Sequence, residues 1–257
     1  MTDVVAAAAR VLRDAFASKI PCAPLRETFR ELDVALAYRV QATNIGTARV
    51  VGRKIGLTSK AVQTQLGIAE PDFGTLTADM CFGDGDDIPW HRLMQPKAEA
   101  EIAMVLGRDL ATPGVTFAEA TRAVDFALPA IEVVGSRIEG WNINIVDTIA
   151  DNASASVVVL GGAPTRLSAF DARLCGMVIE RRGEPVSLGA GAACLGHPIN
   201  ALVWLANKMI EAGTPLVAGD LVMTGALGAM VAVAPGDLLE ARIHGLGSVR
   251  AAFGGRS

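Results

Sequence analysis

The chain has 257 residues, of which 51% are hydrophobic and 19% charged, and its formal net charge is −4. This length allows a large hydrophobic core, and the composition is that of a compact globular protein rather than a disordered one. Lysines and arginines are scattered along the chain, at most two in succession, without the basic stripe that nucleic-acid binding requires. The apolar stretches are shorter than the ~20 residues of a membrane span, and the N-terminus lacks a signal-peptide core. We therefore expect a cytoplasmic protein that binds neither nucleic acid nor membranes.

The N-terminal part of the chain has the pattern of helices. Thr2 or Asp3 can cap a first helix, in which apolar residues recur at helical spacing until Pro21 and Pro24 end it. A second helix is predicted over residues 33–46. We expect these helices to form a smaller N-terminal lobe.

Beyond these helices the pattern changes to strands. Residues 50–57 alternate small, charged and apolar side chains between glycines, which predicts a strand with a tight exit. We place the lobe boundary at residue 80, which gives an N-terminal lobe of residues 1–80 and a catalytic domain of residues 81–257. Further strands are predicted at 99–106, 130–134, 157–160, 176–181, 185–188, 221–224, 237–243 and 247–253. Many short strands with few helices indicate a closed or folded-over mixed β-sheet.

Two helices interrupt the β-rich part. Thr116 and Glu119 have the spacing of a capping box, which predicts a helix from there to about Phe126. The other helix is predicted over Pro198–Ala212, with proline in its first turn. His197, which precedes it, is expected to cap or pack rather than to catalyse.

The four cysteines, Cys22, Cys81, Cys175 and Cys194, lie far apart in the sequence. Without a C-x-x-C motif, this spacing indicates neither a zinc site nor a disulfide framework. We therefore expect buried free thiols.

Two glutamates, two residues apart, lie at the start of an apolar run within Pro96–Leu106. In an extended chain alternate side chains share a face, so Glu99 and Glu101 would project together with their Cα atoms roughly 6–7 Å apart. Such a pair can belong to a solvent-facing strand. If the face is buried, repulsion and lost hydration instead require a cation between the carboxylates, and a divalent metal is the candidate.

Glu132 is the only charged residue in the apolar run Leu128–Val134. A carboxylate in such a run is rarely buried unless it is paired or ligates a metal, and the alternative is exposure at a sheet edge. Together with Glu99 and Glu101 it would supply three oxygen ligands and leave positions open for water or substrate. This set of hard oxygen ligands suits Mg²⁺ or Mn²⁺ rather than zinc.

A second group of candidate residues flanks the glutamates in the sequence. Lys54 lies between two glycines that allow a ligand to approach the backbone, and Asp72 lies in a predicted rigid turn, Glu70–Gly74. Both residues can equally be ordinary surface and turn positions. The polar segment Val146–Ser154 is similarly open, since its side chains suit helix caps as well as a binding site.

The candidate residues fall within seven sequence blocks that follow one another in order. The blocks are Gly52–Thr58, Gln65–Gly67 with Glu70–Gly74, Ala98–Ala103, Ile131–Ile138, Asp147–Ser154, Leu195–Ala201 and Ala218–Gly225. In these blocks the sequence resembles the 2-keto-4-pentenoate (2-hydroxypenta-2,4-dienoate) hydratases of the fumarylacetoacetate hydrolase superfamily. Those enzymes act in the meta-cleavage degradation of aromatic compounds.

The resemblance implies an α+β fold, with a mixed β-roll or barrel-like catalytic domain and a smaller, largely helical N-terminal lobe. It also implies a homo-oligomer, a pentamer or a decamer, and association with the aldolase of the next pathway step. The implied site residues are the metal ligands Glu99, Glu101 and Glu132, the catalytic residues Lys54 and Asp72, and the substrate-binding residues Ser154, Thr224 and Gly225.

The implied reaction is the Mg²⁺- or Mn²⁺-dependent hydration of 2-hydroxypenta-2,4-dienoate (2-oxopent-4-enoate) to 4-hydroxy-2-oxopentanoate. The main alternative is decarboxylation of 4-oxalocrotonate, because such decarboxylases share nearly the same blocks. A noncatalytic scaffold is the remaining alternative. Three carboxylates in one site argue against a scaffold, since it would not require them.

Overall fold

A computed structural model describes residues 2–59, 63 and 71–255 of the chain. Two of the resemblance motifs, Gln65–Gly67 and Glu70, therefore lie outside the described residues. The α-helices are α1 (Thr2–Ser18), α2 (Leu25–Thr28), α3 (Val34–Ile45), α4 (Phe117–Ala123), α5 (Ile145–Ala150) and α6 (Pro198–Glu211). The strands are β1 (Val50–Gly56), β2 (Asp72–Thr77), β3 (Cys81–Gly83), β4 (Asp87–Ile88), β5 (Lys97–Leu106), β6 (Val124–Val134), β7 (Ala155–Leu160), β8 (Gly176–Arg181), β9 (Glu184–Ala190), β10 (Leu221–Met223), β11 (Val231–Ala232), β12 (Leu238–Ile243) and β13 (Gly247–Phe253).

The described strands form two mixed sheets. The larger has the order β2-β1-β10-β5-β6-β7-β3, with β11 pairing to β5, and the smaller has the order β4-β13-β12-β8-β9. The main hydrophobic core combines buried residues of both sheets with the apolar face of α6, including Ile102, Ile131, Leu205 and Val249. This arrangement confirms the predicted α+β fold with a mixed, folded-over β-sheet.

The centre of the larger sheet is the long antiparallel pair β5 and β6, which accounts for the position of the site. Ile102 of β5 and Ile131 of β6 are fully buried, and apolar residues on both strands pack against β7, β10 and the smaller sheet. Because both strands are covered on both faces, their few charged side chains are buried as well.

The N-terminal helices form a second, smaller hydrophobic cluster with α5. Leu12 of α1, Val40 of α3 and Ile149 of α5 are among its buried members. Asp33 caps α3, since its Oδ1 accepts a hydrogen bond from the Leu36 amide at 2.8 Å. The predicted helix over residues 33–46 is therefore confirmed, and α1 ends shortly before the prolines expected to stop it.

The predicted caps in the second half of the chain are also confirmed. Thr116 and Glu119 form a reciprocal capping box at the start of α4. His197 caps α6, because its Nδ1 accepts a hydrogen bond from the Ile199 amide at 3.0 Å. The predicted extension of α4 to about Phe126 is wrong, because Val124 already pairs with Leu106 as the first residue of β6.

The predicted turn at Asp72 is also wrong. Asp72 is the first residue of β2, and it pairs with Gly56 while Gly74 pairs with Lys54. Phe73 and Gly74 continue this strand, and the backbone carbonyl of Asn152 approaches Gly74 closely. A Cβ at Gly74 would lie only 2.5 Å from that oxygen, so this position excludes a larger side chain.

The division at residue 80 stays a prediction. Strand β1 pairs in parallel with β10, so residues before this boundary contribute to the larger sheet.

None of the helices in the described ranges is long and apolar enough to cross a membrane. The four cysteines are free thiols, with Cys175 and Cys194 buried and Cys22 and Cys81 half-buried.

Candidate metal centre and active site

Strands β5 and β6 bring three carboxylates together. Glu99 lies directly opposite Glu132 in the antiparallel register, and Glu101 lies two residues further along the same face of β5. Carboxylate oxygens of the three residues lie within 4.8 Å of one another. Glu101 and Glu132 are completely buried, and Glu99 is 9% exposed. The predicted triad is therefore a buried cluster rather than a solvent-facing strand surface.

The triad has fewer hydrogen-bond partners than its oxygens require. Glu101 Oε2 accepts a hydrogen bond from the Gly225 amide at 2.8 Å. Glu101 Oε1 and Glu132 Oε2 are buried without a hydrogen-bond partner among the described residues, whereas Glu132 Oε1 forms an ion pair with Lys54. Buried carboxylate oxygens are normally paired, so an unpaired set that faces inward indicates a site for a cation.

Burial and mutual repulsion perturb the acidity of the cluster. Burial, followed by repulsion from Glu132, raises the pKa of Glu99 to about 8. The same two causes raise the pKa of Glu101 well above its ordinary value. These raised pKa values show that the cluster disfavours its charged form unless a cation neutralises it.

The donor set fits a divalent cation with a preference for oxygen. The carboxylates lie close enough to share one ion, and no cysteine or histidine of the described residues belongs to the cluster. Such a set suits Mg²⁺ or Mn²⁺. The role of Glu99, Glu101 and Glu132 as metal ligands stays a prediction, which this geometry supports.

Lys54 is the buried cation beside the triad. Its Nζ lies 3.3 Å from Glu132 Oε1 and donates a hydrogen bond to the Ala153 carbonyl at 3.0 Å. Burial alone would lower the pKa of Lys54, but the carboxylates of Glu132, Asp72 and the other two glutamates outweigh it, so the pKa lies above its ordinary value. Lys54 is therefore an ammonium at neutral pH.

Asp72 and Ser154 are connected through Thr148. The Thr148 hydroxyl donates to Asp72 Oδ2 at 3.4 Å and lies 3.3 Å from the Ser154 hydroxyl. Burial raises the pKa of Asp72, and the nearby Lys54 opposes this effect only in part. Asp72 Oδ1 is buried without a hydrogen-bond partner in the described structure, which leaves it available to a bound molecule.

Gly56 and a strained turn at residues 152–154 allow Asp72 and Ser154 to take up their positions in the site. A Cβ at Gly56 would lie 2.1 Å from Asp72 Oδ1, so any side chain at this position would displace the carboxylate. Asn152, Ala153 and Ser154 all have positive φ values of 50–60°, which non-glycine residues rarely adopt. Asn152 holds this turn by pairing its side-chain amide with both backbone groups of Thr75. Such strain is typical of functional sites.

These groups face one cavity of about 550 Å³. Its polar lining residues include Lys54, Asp72, Glu99 and Ser154, and its apolar ones include Val134, Trp141, Ile143, Ala226 and Met230. The structure therefore brings the predicted residues Lys54, Asp72 and Ser154 next to the triad. The structure also shows that apolar side chains line the cavity, which the sequence does not predict.

The other two predicted substrate-binding residues contact the triad or its strand. The Thr224 hydroxyl donates to the Ile102 carbonyl at 2.8 Å, and the Gly225 amide binds Glu101. Neither belongs to the described residues that line the cavity. In this structure they hold Glu101 and β5 in position, and their substrate-binding role stays a prediction.

Thr148 and Trp141 are cavity residues that sequence reasoning missed. Thr148 lies in the segment left open between capping and binding, and only the fold shows that its hydroxyl points at Asp72. Trp141 is an aromatic residue in the polar stretch Glu139–Asn144. A large aromatic residue in a polar loop is the weak signal that could have indicated such a role.

Comparisons with known proteins identify the family of the chain. The family model described as fumarylacetoacetate (FAA) hydrolase C-terminal matches residues 34–253. A 2-keto-4-pentenoate hydratase of Paraburkholderia xenovorans is 57% identical over 251 residues, which cover 96% of this chain and 93% of that protein. A protein of Pseudomonas putida named TodF product hydratase is 55% identical over 257 residues, which cover 98% of this chain and 96% of that protein.

A solved structure has nearly the same fold. The 4-oxalocrotonate decarboxylase from Pseudomonas putida G7, complexed with magnesium and adipate, superimposes with a TM-score of 0.93 at 37% identity, covering 98% of both chains. Sequence, fold and the buried acidic triad thus give the same classification. The chain belongs to the fumarylacetoacetate hydrolase family.

Proposed function

We propose that the protein hydrates 2-hydroxypenta-2,4-dienoate, through its 2-oxo form, to 4-hydroxy-2-oxopentanoate in the meta-cleavage catabolism of aromatic compounds. The observation that carries this proposal is the buried cluster of Glu99, Glu101 and Glu132 beside Lys54 and Asp72, with Glu99, Lys54 and Asp72 lining one cavity. The names of relatives more than half identical over nearly the whole chain support hydration as the reaction.

The acidic triad would hold Mg²⁺ or Mn²⁺. When bound, either ion supplies Lewis acidity toward the carboxylate and the C2 oxygen of a 2-oxo acid. Magnesium in the decarboxylase of the same fold supports this choice of ion. Glu101 Oε1 and Glu132 Oε2, which have no partner among the described residues, are the local observation behind it.

Lys54 is suited to hold the substrate rather than to accept a proton. Its raised pKa and its contacts with Glu132 and the Ala153 carbonyl keep it charged and fixed in orientation. A fixed ammonium at the polar end of the cavity can bind the substrate carboxylate. Removing it would leave the buried carboxylates with less compensation.

Asp72 is suited to move protons. The reaction requires that a proton leaves the C2 hydroxyl and another reaches C5, after which water adds at C4 and a proton reaches C3. Asp72 has a free Oδ1 and a raised pKa, both of which favour exchange of a proton with a bound molecule. Thr148 orients Asp72 Oδ2, and the Ser154 hydroxyl lies next to Thr148 to orient the substrate.

The expected assembly and location also belong to this proposal. Val186 and Leu188 lie exposed on β9, the edge strand of the smaller sheet. Exposed apolar side chains favour burial against another copy of the chain, in line with a pentamer or decamer that associates with the next enzyme, an aldolase. Free thiols at all four cysteines are typical of the cytoplasm.

An assay with two substrates tests the reaction. The protein with Mg²⁺ is incubated with 2-hydroxypenta-2,4-dienoate, and loss of the conjugated ultraviolet absorbance is followed. Release of CO₂ from 4-oxalocrotonate is measured in parallel. We expect rapid loss of the dienoate without CO₂ release. Efficient CO₂ release would favour the decarboxylase alternative, and no reaction with either substrate would favour a noncatalytic scaffold.

A further inference from the structure

The strand register gives the cavity a direction. Glu101, Glu99 and Lys97 follow one another on a single face of β5, each step spanning roughly 6–7 Å. Across β6, Glu132 lies opposite Glu99, and Val134 lies opposite Lys97. Glu99 and Val134 both line the cavity, so a five-carbon acid held by its first two carbons near Glu99 and Glu132 has room to extend its distal carbons toward the Lys97–Val134 pair.

Trp141 lies at this distal end and covers Lys97. The Lys97 Nζ is 4.3 Å from the centroid of the Trp141 ring, which is a cation–π contact. Trp141 lines the cavity, whereas Lys97 is not part of the lining in the described structure. The indole therefore separates this ammonium from the space that a ligand would occupy.

A network of hydrogen bonds holds Trp141 in this position. Its indole N–H donates to the Gln95 carbonyl at 3.0 Å. The Gln95 side-chain amide donates to the carbonyls of Ser136 and Ile138 at 2.8 and 2.7 Å, and its oxygen accepts from the Gly140 amide at 3.0 Å. Trp141 itself has a φ of 59°, which is unusual for a bulky residue. A strained and fully anchored aromatic residue indicates a role at the site.

The remaining side chains at the distal end are apolar. Three lining residues lie at this end: Val134 opposite Lys97, Met230 next to the β11 residue that pairs with Ala98, and Ile143, whose amide donates to the Trp141 carbonyl. Among the described residues that line the cavity, Lys54 is the only cation, and it is held by the carboxylates at the opposite end. The described distal end thus offers a ligand apolar contact and no exposed positive charge.

We propose that Trp141 determines the substrate class of this site by shielding Lys97. With the shield in place, the site takes 2-oxo acids whose distal end is uncharged and apolar, including dienoates with an alkyl substituent at C5, and it excludes acids with a distal carboxylate. This inference rests on the proposed function, because it requires the 2-oxo acid group to bind at the triad.

Binding of two unreactive acids of equal chain length tests the inference. 2-Oxohexanoate ends in a methyl group, and 2-oxoadipate ends in a carboxylate. Calorimetric titration in excess Mg²⁺ gives the Kd of each acid without relying on turnover. For the wild-type protein we expect 2-oxohexanoate to bind at least tenfold more tightly than 2-oxoadipate.

Variants then distinguish the effect of covering Lys97 with Trp141 from the effect of the Lys97 charge itself. Trp141→Ala is expected to lower this preference at least fivefold, since it exposes the Lys97 ammonium to the distal carboxylate. Adding Lys97→Met to Trp141→Ala is expected to restore the wild-type preference to within twofold. Trp141→Phe, which keeps an aromatic ring over Lys97, serves as the matched control and should retain the preference. If Trp141→Ala does not fold, Trp141→Leu gives the same comparison, with an expected decrease of twofold or more.

Failure of this inference differs from failure of the proposed function. If both acids bind and Trp141→Ala leaves their ratio unchanged, the inference is wrong while 2-oxo acid binding stands. A wild-type preference for 2-oxoadipate would also overturn it. If neither acid binds the wild-type protein at saturating Mg²⁺, the proposed function is wrong and the inference falls with it.

Discussion

Replacing Glu99 by glutamine should stabilise the metal-free protein at high pH and abolish its stabilisation by Mg²⁺. Glu99 has a pKa of about 8 in the folded protein, against an ordinary value of 4.5. Since the folded state favours the neutral form, the wild-type protein loses stability as the pH rises from about 4.5 to about 8. A glutamine, which does not ionise, avoids this loss.

The expected size follows from the difference between the two pKa values. A tenfold change in the ionisation constant corresponds to about 1.4 kcal/mol, so between pH 6 and pH 8.5 the metal-free wild type should lose about 2–3 kcal/mol relative to Glu99→Gln. For a chain of this length 1 kcal/mol changes Tm by about 2–4 °C, which gives about 5–10 °C. Mg²⁺ at about one hundred times its Kd should stabilise the wild type by about 2.7 kcal/mol and leave the variant unchanged.

Thermal unfolding with and without Mg²⁺, at pH 6 and pH 8.5, measures both effects. Glu211→Gln is the matched control, because Glu211 is an exposed carboxylate at the end of α6, and it should behave as the wild type does. The reasoning would be refuted if Glu99→Gln gained no stability over the wild type as the pH rose. It would also be refuted if the variant kept the full response to Mg²⁺.

Three further changes test other parts of the site. Asp72→Asn should lower kcat by about 10²–10⁴-fold while the Mg²⁺-dependent rise in Tm persists; a loss of that rise would place Asp72 in metal binding. Gly56→Ala should lower kcat/KM at least tenfold in steady-state assays, because the alanine Cβ would lie 2.1 Å from Asp72 Oδ1. Unchanged kinetics would contradict this close packing of Gly56 against Asp72. His197→Ala should lower the free energy of unfolding by about 1 kcal/mol through loss of the α6 cap. In steady-state assays its kcat should equal that of the wild type, and a large loss of activity would show that His197 has a role in catalysis.

Local patterns in the sequence account for much of the fold. The caps at Asp33, Thr116 and His197 depend on neighbouring residues, and the structure contains all of them. The turn predicted at Asp72 has the same kind of local basis, because Pro, Asp and Gly favour turns. In the fold, pairing with β1 overrides this preference, which no local pattern can reveal.

The acidic triad can be predicted from the sequence because charged residues stand out within apolar segments that are expected to be buried. Glu132 interrupts an apolar run, and Glu99 and Glu101 are separated by one residue. Both patterns can be recognised without knowledge of the fold. Thr148 and Trp141 leave no signal of comparable strength. Their roles depend on contacts between distant segments, such as the approach of Thr148 to Asp72 across 76 positions of sequence.

The most direct test of the central claim is metal-dependent hydration by the wild-type protein. Protein freed of metal by a chelator is given 2-hydroxypenta-2,4-dienoate, and the product is identified by mass spectrometry before and after Mg²⁺ or Mn²⁺ is restored. We expect 4-hydroxy-2-oxopentanoate to form at an appreciable rate only after the metal is restored. Equal hydration without metal, or no hydration after it is restored, would contradict the claim.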